Sequence, residues 1–163
     1  MINEEPSIRR EMIAILFKEA LEAENRKDLE KALRIFDKIL ELSKDNEPDL
    51  YFEACFRMAD IHIQRDNYRG AVKCALRGIL KAPSNEHYRV GIRRLGDILF
   101  ILKEKGKLKD ITENMEATLN QIKGDEELHR FTLALIRLIK GEKVDEVFSL
   151  REFNEIIESL RDG

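Results

Sequence analysis

Apolar residues recur every three or four positions along almost the whole chain, and no segment alternates apolar with polar residues as a strand would. Leu and Ile dominate the apolar residues, while Val, Thr and aromatic residues, which favour strands, are sparse. The three prolines, Pro6, Pro48 and Pro83, each lie where a helical pattern begins or ends. The sequence therefore predicts an all-α fold.

The breaks in this pattern divide the chain into about eight helices joined by short turns. Asp28 is a predicted N-cap, Gly124 a predicted C-cap glycine, and Ser149 with Glu152 has the spacing of a capping box. A partial helical turn is expected over 144–148. The predicted helices span about residues 7–25, 28–42, 49–64, 68–82, 84–106, 108–123, 125–141 and 149–162. The apolar stripe of the first helix consists of Ile8, Met12, Leu16, Ala20 and Ala23.

The charge balance limits the classes of partner. The 163 residues carry 29 basic and 32 acidic side chains, and the resulting net charge of -3 provides no general attraction for nucleic acid. A basic run of Arg89, Arg93 and Arg94 could contact phosphates. Asp97, however, lies one helical turn away, which favours a solvated face of paired charges. We therefore do not expect a nucleic acid partner.

The N-terminus and the two cysteines indicate the compartment. The first residues, MINEEPSIRREM, lack the basic flank and apolar run of a signal peptide, and no apolar segment approaches the roughly 20 residues of a membrane span. We expect a cytoplasmic protein that does not contact a membrane. Cys55 and Cys74 lie within helical patterns and are expected to be buried, reduced thiols. The high charge with only two glutamines is typical of thermophilic proteins.

Patterns that would indicate catalysis or metal binding are weak. His62, His87 and His129 lie in separate segments without the H-x-x-x-H spacing of a metal pair. Glu126 and His129 form one E-x-x-H motif, but a di-iron bundle needs two such motifs with inward-facing glutamates. No C-x-x-C pair or glycine-rich phosphate loop occurs. We expect no enzyme activity, no catalytic residue, no metal and no cofactor.

Three segments of the chain align with each other at offsets of 39 and 40 residues, as an internal repeat would. In the second segment Ala71, Ala75 and Gly78 lie on one helix face, where small residues allow another backbone to approach closely, and Pro83 ends the unit. The aligned columns are Leu29, Tyr68 and Leu108; Ala32, Ala71 and Ile111; and Phe36, Ala75 and Met115.

This pattern resembles the tetratricopeptide repeat, most clearly over residues 52–83. Met58 and Ala59 match the Leu-Gly pair of the family's first helix, while Ala71, Gly78 and Pro83 match its small and proline columns. The resemblance implies a right-handed α-α superhelix of about three hairpins plus a C-terminal helical pair, all in a single domain of residues 1–163. The implied repeat units are residues 7–44, 48–83 and 85–123, with a divergent hairpin or cap at 125–162.

The resemblance also implies a concave groove, lined by the first helix of each hairpin, and hence a non-catalytic adaptor that binds a segment of another protein. Aromatic rings and guanidinium groups supply most binding energy in such surfaces. Only Arg93 has the charge that a carboxylate clamp requires, so no clamp is expected. The implied groove residues are Phe17, Lys18, Leu21, Phe56, Arg57, Asp60, Gln64, Arg93, Asp97, Phe100 and Lys103. The apolar members of this set could instead seal the superhelix against the C-terminal helices.

A second interpretation is a homodimeric structural module. The seventh predicted helix is apolar almost all round, and such a helix has to be covered by another element or another chain. Either the last helix of the same chain or a second subunit could cover it. The residues expected at this surface are Leu128, Phe131, Leu135, Leu138 and Ile139.

Overall fold

The computed structural model describes residues 6–161. All regular secondary structure in this range is helical, which confirms the all-α prediction. The elements are α1 (Pro6–Asn25), α2 (Leu29–Ser43), α3 (Pro48–Gln64), α4 (Tyr68–Leu80), α5 (Asn85–Glu104), a 3-10 helix (Leu108–Thr112), α6 (Glu116–Gln121), α7 (Glu126–Ile139) and α8 (Arg151–Arg161).

Local capping sets the starts of four of these helices, α2, α4, α5 and α7, the last through Asp125, which accepts from the Leu128 N–H at 3.1 Å. The side chains of Asp28, Asn67 and Ser84 each accept a hydrogen bond from the backbone N–H three residues later, at 3.1 to 3.3 Å. Lys27 and Asp66 have positive φ angles of 65° and 60°, which turn the chain directly before two of these caps. The predicted starts of α2, α4 and α5 are therefore confirmed.

Helices α1, α3, α5 and α8 lie in one row and run in the same direction. Contacts join α1 to α3 and α5 to α8 near their N-terminal ends and again near their C-terminal ends, as between Arg89 and Glu152 and between Lys103 and Ser159. Helix α5 contacts α3 through Arg94 and Glu53 and through Gly91, which lies against Phe52 and Phe56. Helix α2 packs against α1 and α3, and α4 packs against α3 and α5, so these two form a second layer. Helix α7 packs against α8 and the 3-10 helix.

Two glycines allow the helices of this core to approach closely. A Cβ atom on Gly78 of α4 would lie 2.9 Å from Phe56 Cε2 and 3.1 Å from Cys55 Cβ of α3. A Cβ atom on Gly91 of α5 would lie 2.9 Å from Ile79 Cγ1. Larger side chains at either position would push α3, α4 and α5 apart. The small residues of α4 are therefore required by packing, as the repeat pattern indicated.

The prediction of one continuous sixth helix is wrong. The chain forms a 3-10 helix over Leu108–Thr112 and a short α6 over Glu116–Gln121, and Asn114 between them has a φ of 60°. This left-handed conformation interrupts the helical hydrogen bonds. Ile111 and Met115 are still buried, so the apolar residues of this segment reach the core without a continuous helix. Helix α6 ends at Gln121, and Gly124 is not its C-cap.

The predicted helical turn over 144–148 is also wrong. Residues 142–148 form no helix, although Val144 and Phe148 are buried. The ring of Phe148 lies 5.8 Å from the rings of both Phe131 and Phe153, measured between centroids. The segment is thus held by side chains in the core and not by a helical hydrogen-bond pattern.

Ser149 and Glu152 do not form the predicted capping box. The backbone N–H and hydroxyl of Ser149 both donate to the carboxylate of Glu127, at 2.6 and 2.7 Å. The side chain of Asn154 instead holds the start of α8, because it accepts from the Phe148 N–H and donates to the Phe148 carbonyl, both at 2.8 Å. Long-range partners therefore replace the local cap that the sequence suggested.

Candidate functional site

The row of parallel helices leaves one side of α3 and α5 free, and we call this surface the inner face. Its side chains are spaced three or four residues apart on each helix and are partly or fully exposed. The inner face consists of Glu53, Arg57, Asp60 and Gln64 from α3 and Arg93, Asp97, Phe100 and Ile101 from α5. The inner face thus includes six residues expected in the groove: Arg57, Asp60, Gln64, Arg93, Asp97 and Phe100.

The first helix contributes less to this surface than expected. Lys18 is exposed, but Phe17 is half-buried and its ring packs edge to face against Phe36, with 5.5 Å between centroids. Leu21 is also half-buried and packs against the core. For Phe17 and Leu21 the structure therefore favours a role in packing.

The expectation that Phe56 lines the groove is wrong. Its side chain is only 1% exposed, because Arg94 places its guanidinium carbon 4.4 Å from the ring centroid and Phe52 packs against it at 5.0 Å. Arg94 also contacts Glu53 at 3.8 Å. The sequence analysis did not identify Arg94 as the residue that covers the Phe56 ring of α3. The sequence signal for this contact was Gly91, about one turn before Arg94, because a glycine there allows α5 to approach α3 closely.

Charges of opposite sign alternate along the inner face. Arg57 pairs with Glu53 at 3.4 Å on α3. The neighbouring helices limit the hydration of Asp60, and this desolvation raises its pKa, although the positive charges of Arg94 and Arg57 act in the opposite direction. Such a surface offers donors and acceptors for hydrogen bonds and ion pairs. It does not assemble a nucleophile beside a general base.

Two features of the inner face are not accounted for by the fold. The side chain of Phe100 is 61% exposed and lies next to exposed Ile101, which is unusual for large apolar residues surrounded by charges. At the end of the row, Glu24 Oε2 accepts from Gln64 at 3.2 Å, while Glu24 Oε1 is buried and has no hydrogen-bond partner among residues 6–161. Buried acceptors normally have a donor, so this oxygen is an exception within the fold.

Arg93 is engaged within the chain. Glu152 at the start of α8 is 3% exposed and accepts two hydrogen bonds from Arg89, at 3.0 and 3.1 Å, and one from Arg93 at 3.1 Å. The hydrogen bond from Arg89 is the main cause that lowers the pKa of the Glu152 carboxyl. Together with the Arg94 and Glu53 contact, all three arginines of the basic run are paired with glutamates.

The residues predicted for self-association lie inside the chain. Leu128, Phe131 and Leu135 are buried and Leu138 is half-buried, because α8 and residues 142–148 cover the apolar side of α7. The ring of Phe131 packs against Phe153 of α8 with 4.5 Å between centroids. Of the two alternatives for these residues, the structure therefore favours the first, since the last helix of the same chain covers them.

The largest exposed apolar cluster instead lies on α1, at the edge of the row. Ile8, Met12 and Ile15 are exposed on one helix face, and Met12 with Leu16 and Leu42 lines a cavity of about 480 Å³ between α1 and α2. The prediction that Ile8 and Met12 belong to the core stripe of α1 is wrong. Helix α1 is apolar on two sides, and its fully buried residues are Ile13, Ala20 and Ala23, of which the two alanines belong to the predicted stripe.

Comparisons with known proteins gave no match among protein-family models, curated proteins or solved structures. In the part of the chain that the structure describes, none of the helices combines the length and apolar character needed to cross a bilayer. Within residues 6–161, His, Cys, Asp and Glu side chains do not cluster in groups of three or more that could hold a metal ion.

Proposed function

We propose that the chain is a non-catalytic interaction module, similar to tetratricopeptide repeat proteins, whose inner face binds a segment of another protein. The observation that carries this proposal is Phe100, a large ring that is 61% exposed about one helical turn beyond Asp97 and contributes little to the core. Exposed aromatic residues surrounded by charges are typical centres of protein interfaces. The row of parallel helices supports the same assignment, because such rows present a long surface to an extended ligand.

The chemistry of the inner face indicates how a segment would be held. An apolar side chain of the partner would pack on Phe100 and Ile101, which would lose their contact with water. Further along the row, Arg57 can donate to backbone carbonyls or carboxylates of the partner, and Asp60 can accept from its N–H groups.

The proposal is tested by comparing Phe100→Ala with Val147→Ala as baits in quantitative affinity purification from native lysate. Val147 is the matched control, because it is an exposed apolar residue that lies away from the inner face, between α7 and α8. We expect a protein that the wild-type chain and Val147→Ala both retain and Phe100→Ala loses. With the purified partner, Phe100→Ala should weaken affinity by about thirtyfold, equivalent to about 2 kcal/mol.

Equal retention of every bound protein by the two variants would contradict the proposal. Both substitutions affect exposed side chains, so their thermal unfolding midpoints should match that of the wild-type chain. A lower midpoint for Phe100→Ala would show that the ring stabilises the fold and is not a free contact residue.

A further inference from the structure

Helix α4 carries only positive charge. Its charged residues are Arg69, Lys73 and Arg77, four positions apart, and Lys81 continues the series at its end. Residues four apart lie on one face of a helix and rise by about 6 Å per step. In a chain with more acidic than basic residues, a helix with an unbroken basic row is a local departure from the overall composition.

These cations are not neutralised within the described part of the chain. None of the three forms a salt bridge with a residue in 6–161, whereas Arg89, Arg93 and Arg94 of α5 all do. Arg69 Nε donates to the backbone carbonyl of Asp110 at 3.0 Å, which holds this side chain in place. The positive charge of the row therefore remains available to a ligand.

The row borders a groove of about 440 Å³ on the layer of α2 and α4, away from the inner face. Leu33 and Asp37 of α2 form its other wall and His62 of α3 contributes to its base. Asp37 is the one acidic lining residue among residues 6–161, so the three cations of α4 exceed the acidic charge by two. The pKa of His62 is lowered, first by burial and then by Arg65, and Arg77 adds to the effect.

We propose that this basic groove is a second interaction surface, which binds an acidic helical segment of a partner protein. Glutamates at every fourth position of a helix would repeat at the same distance as Arg69, Lys73 and Arg77, so each carboxylate would meet one cation. The apolar side of the groove at Leu33 would contact the aliphatic parts of the same segment. A protein segment can place an uncharged side chain opposite Asp37, whereas a continuous phosphate backbone cannot, and this favours a protein partner over nucleic acid.

The test uses a fluorescent helical peptide of about 15 residues with glutamate at every fourth position, and the same peptide with glutamine in place of glutamate. Fluorescence anisotropy with the full chain should show binding of the glutamate peptide, weakening as salt is raised, and no binding of the glutamine peptide. The double change Lys73→Gln and Arg77→Gln should weaken binding at least about tenfold. These two side chains make no hydrogen bond among the described residues, so the fold should be unaffected.

The matched control is Lys105→Gln with Lys107→Gln, which removes the same charge from exposed positions outside the groove. This control should change affinity by less than about twofold, since long-range attraction alone is weak and screened. Equal weakening by the two double variants would overturn the proposal, because only net charge would then matter. Binding of an oligothymidylate of similar charge as tightly as the peptide would also overturn it, since the groove would then recognise phosphates.

Discussion

Gly78 is the residue where the contact between α3 and α4 is closest. An added Cβ atom would lie 2.9 Å from the Phe56 ring, and that ring cannot move away because Arg94 and Phe52 enclose it. We expect Gly78→Ala to reduce the free energy of unfolding by about 1 to 3 kcal/mol, despite the higher helix propensity of alanine. Urea denaturation measures this change directly.

Gly124 provides the control for this substitution. A Cβ atom there would have no atom within 4 Å, so Gly124→Ala should leave the free energy of unfolding nearly unchanged. If Gly78→Ala were as stable as Gly124→Ala, α3 and α4 would not be in the close contact that the structure places between them.

The two buried thiols make the protein sensitive to alkaline pH. Burial raises the pKa of Cys55 to about 12 and that of Cys74 to about 11, so both are protonated in the native state at neutral pH. In the unfolded chain they ionise from about pH 9, and the native state therefore binds more protons above that pH. The contribution of the protonated thiols to the free energy of unfolding is complete below about pH 9. It is lost as the pH rises toward 12, by up to about 1.4 kcal/mol per pH unit for each thiol.

This prediction is checked by urea denaturation of the wild-type chain and of Cys74→Ala between pH 8 and pH 10.5. The wild-type free energy of unfolding should fall more steeply than that of the variant, because the variant has lost one of the two titrating thiols. Parallel curves would indicate that Cys74 is not desolvated in the native state. Tyr51 adds to the decrease only above about pH 10, where it ionises in the unfolded chain, since burial raises its native pKa to about 12.

At the scale of elements, the buried carboxylate of Glu152 joins α8 to α5 near their N-terminal ends. Glu152→Gln would keep the shape of the side chain but remove the charge that accepts hydrogen bonds from Arg89 and Arg93. Loss of a partner from a fully buried ion pair costs about 3 to 5 kcal/mol. Because both arginines are partly exposed and can be hydrated, we expect Glu152→Gln to lower the free energy of unfolding by only about 1 to 2 kcal/mol. Thermal unfolding of Glu152→Gln measures the loss.

Glu155→Gln is the matched control on the same helix. Its partner is Arg151, and both side chains are largely exposed, so the substitution should change stability by less than about 0.5 kcal/mol. A depressed pKa of Glu152 also predicts that its contribution is present at neutral pH and lost as the pH falls through the acidic range. If the two variants differed little from each other at neutral pH, α8 would not depend on this ion pair.

Elements with local capping signals could be predicted from the sequence, while elements held by distant residues could not. Asp28 and Ser84 cap the helices that directly follow them, so α2 and α5 begin close to the predicted residues. The region around Ser149 has a capping pattern as well, but Glu127, 22 residues away, binds Ser149 instead. Residues 108–122 keep helical apolar spacing, yet the left-handed Asn114 divides them.

The same limit applies to the candidate site. The family resemblance implied Arg57, Asp60 and Phe100 as groove residues, and in the structure all three side chains are at least partly exposed. The resemblance failed for Phe56, whose exposure depends on how closely α5 approaches α3 at Gly91. A single residue in the neighbouring helix therefore decides between surface and core, and the pattern of α3 alone contains no information about it.

At the scale of the whole molecule, the row of parallel helices has different chemistry at its different sides. The inner face combines alternating charges with the exposed ring of Phe100, and the layer of α2 and α4 carries the basic groove. The edge at α1 is apolar, whereas at α8 the exposed side chains are mainly charged. In helical arrays, end units require a polar outer side because they have no neighbour, and in the described chain α8 meets this requirement better than α1.

The apolar edge at α1 leads to a prediction about association of the whole molecule. Ile8 and Ile15 are 50% and 64% exposed, so changing both to lysine should alter the free energy of unfolding by less than about 0.5 kcal/mol. Ile13→Ala in the same helix should lower the free energy of unfolding by about 2 to 4 kcal/mol, because Ile13 is fully buried.

Exposed apolar clusters drive association, so we expect light scattering to detect association of the wild-type chain at high concentration and less association of the lysine variant. A large loss of stability in the lysine variant, at a concentration where the wild-type chain is monomeric, would mean that both isoleucines are covered within the chain, and α1 would then not be a free edge.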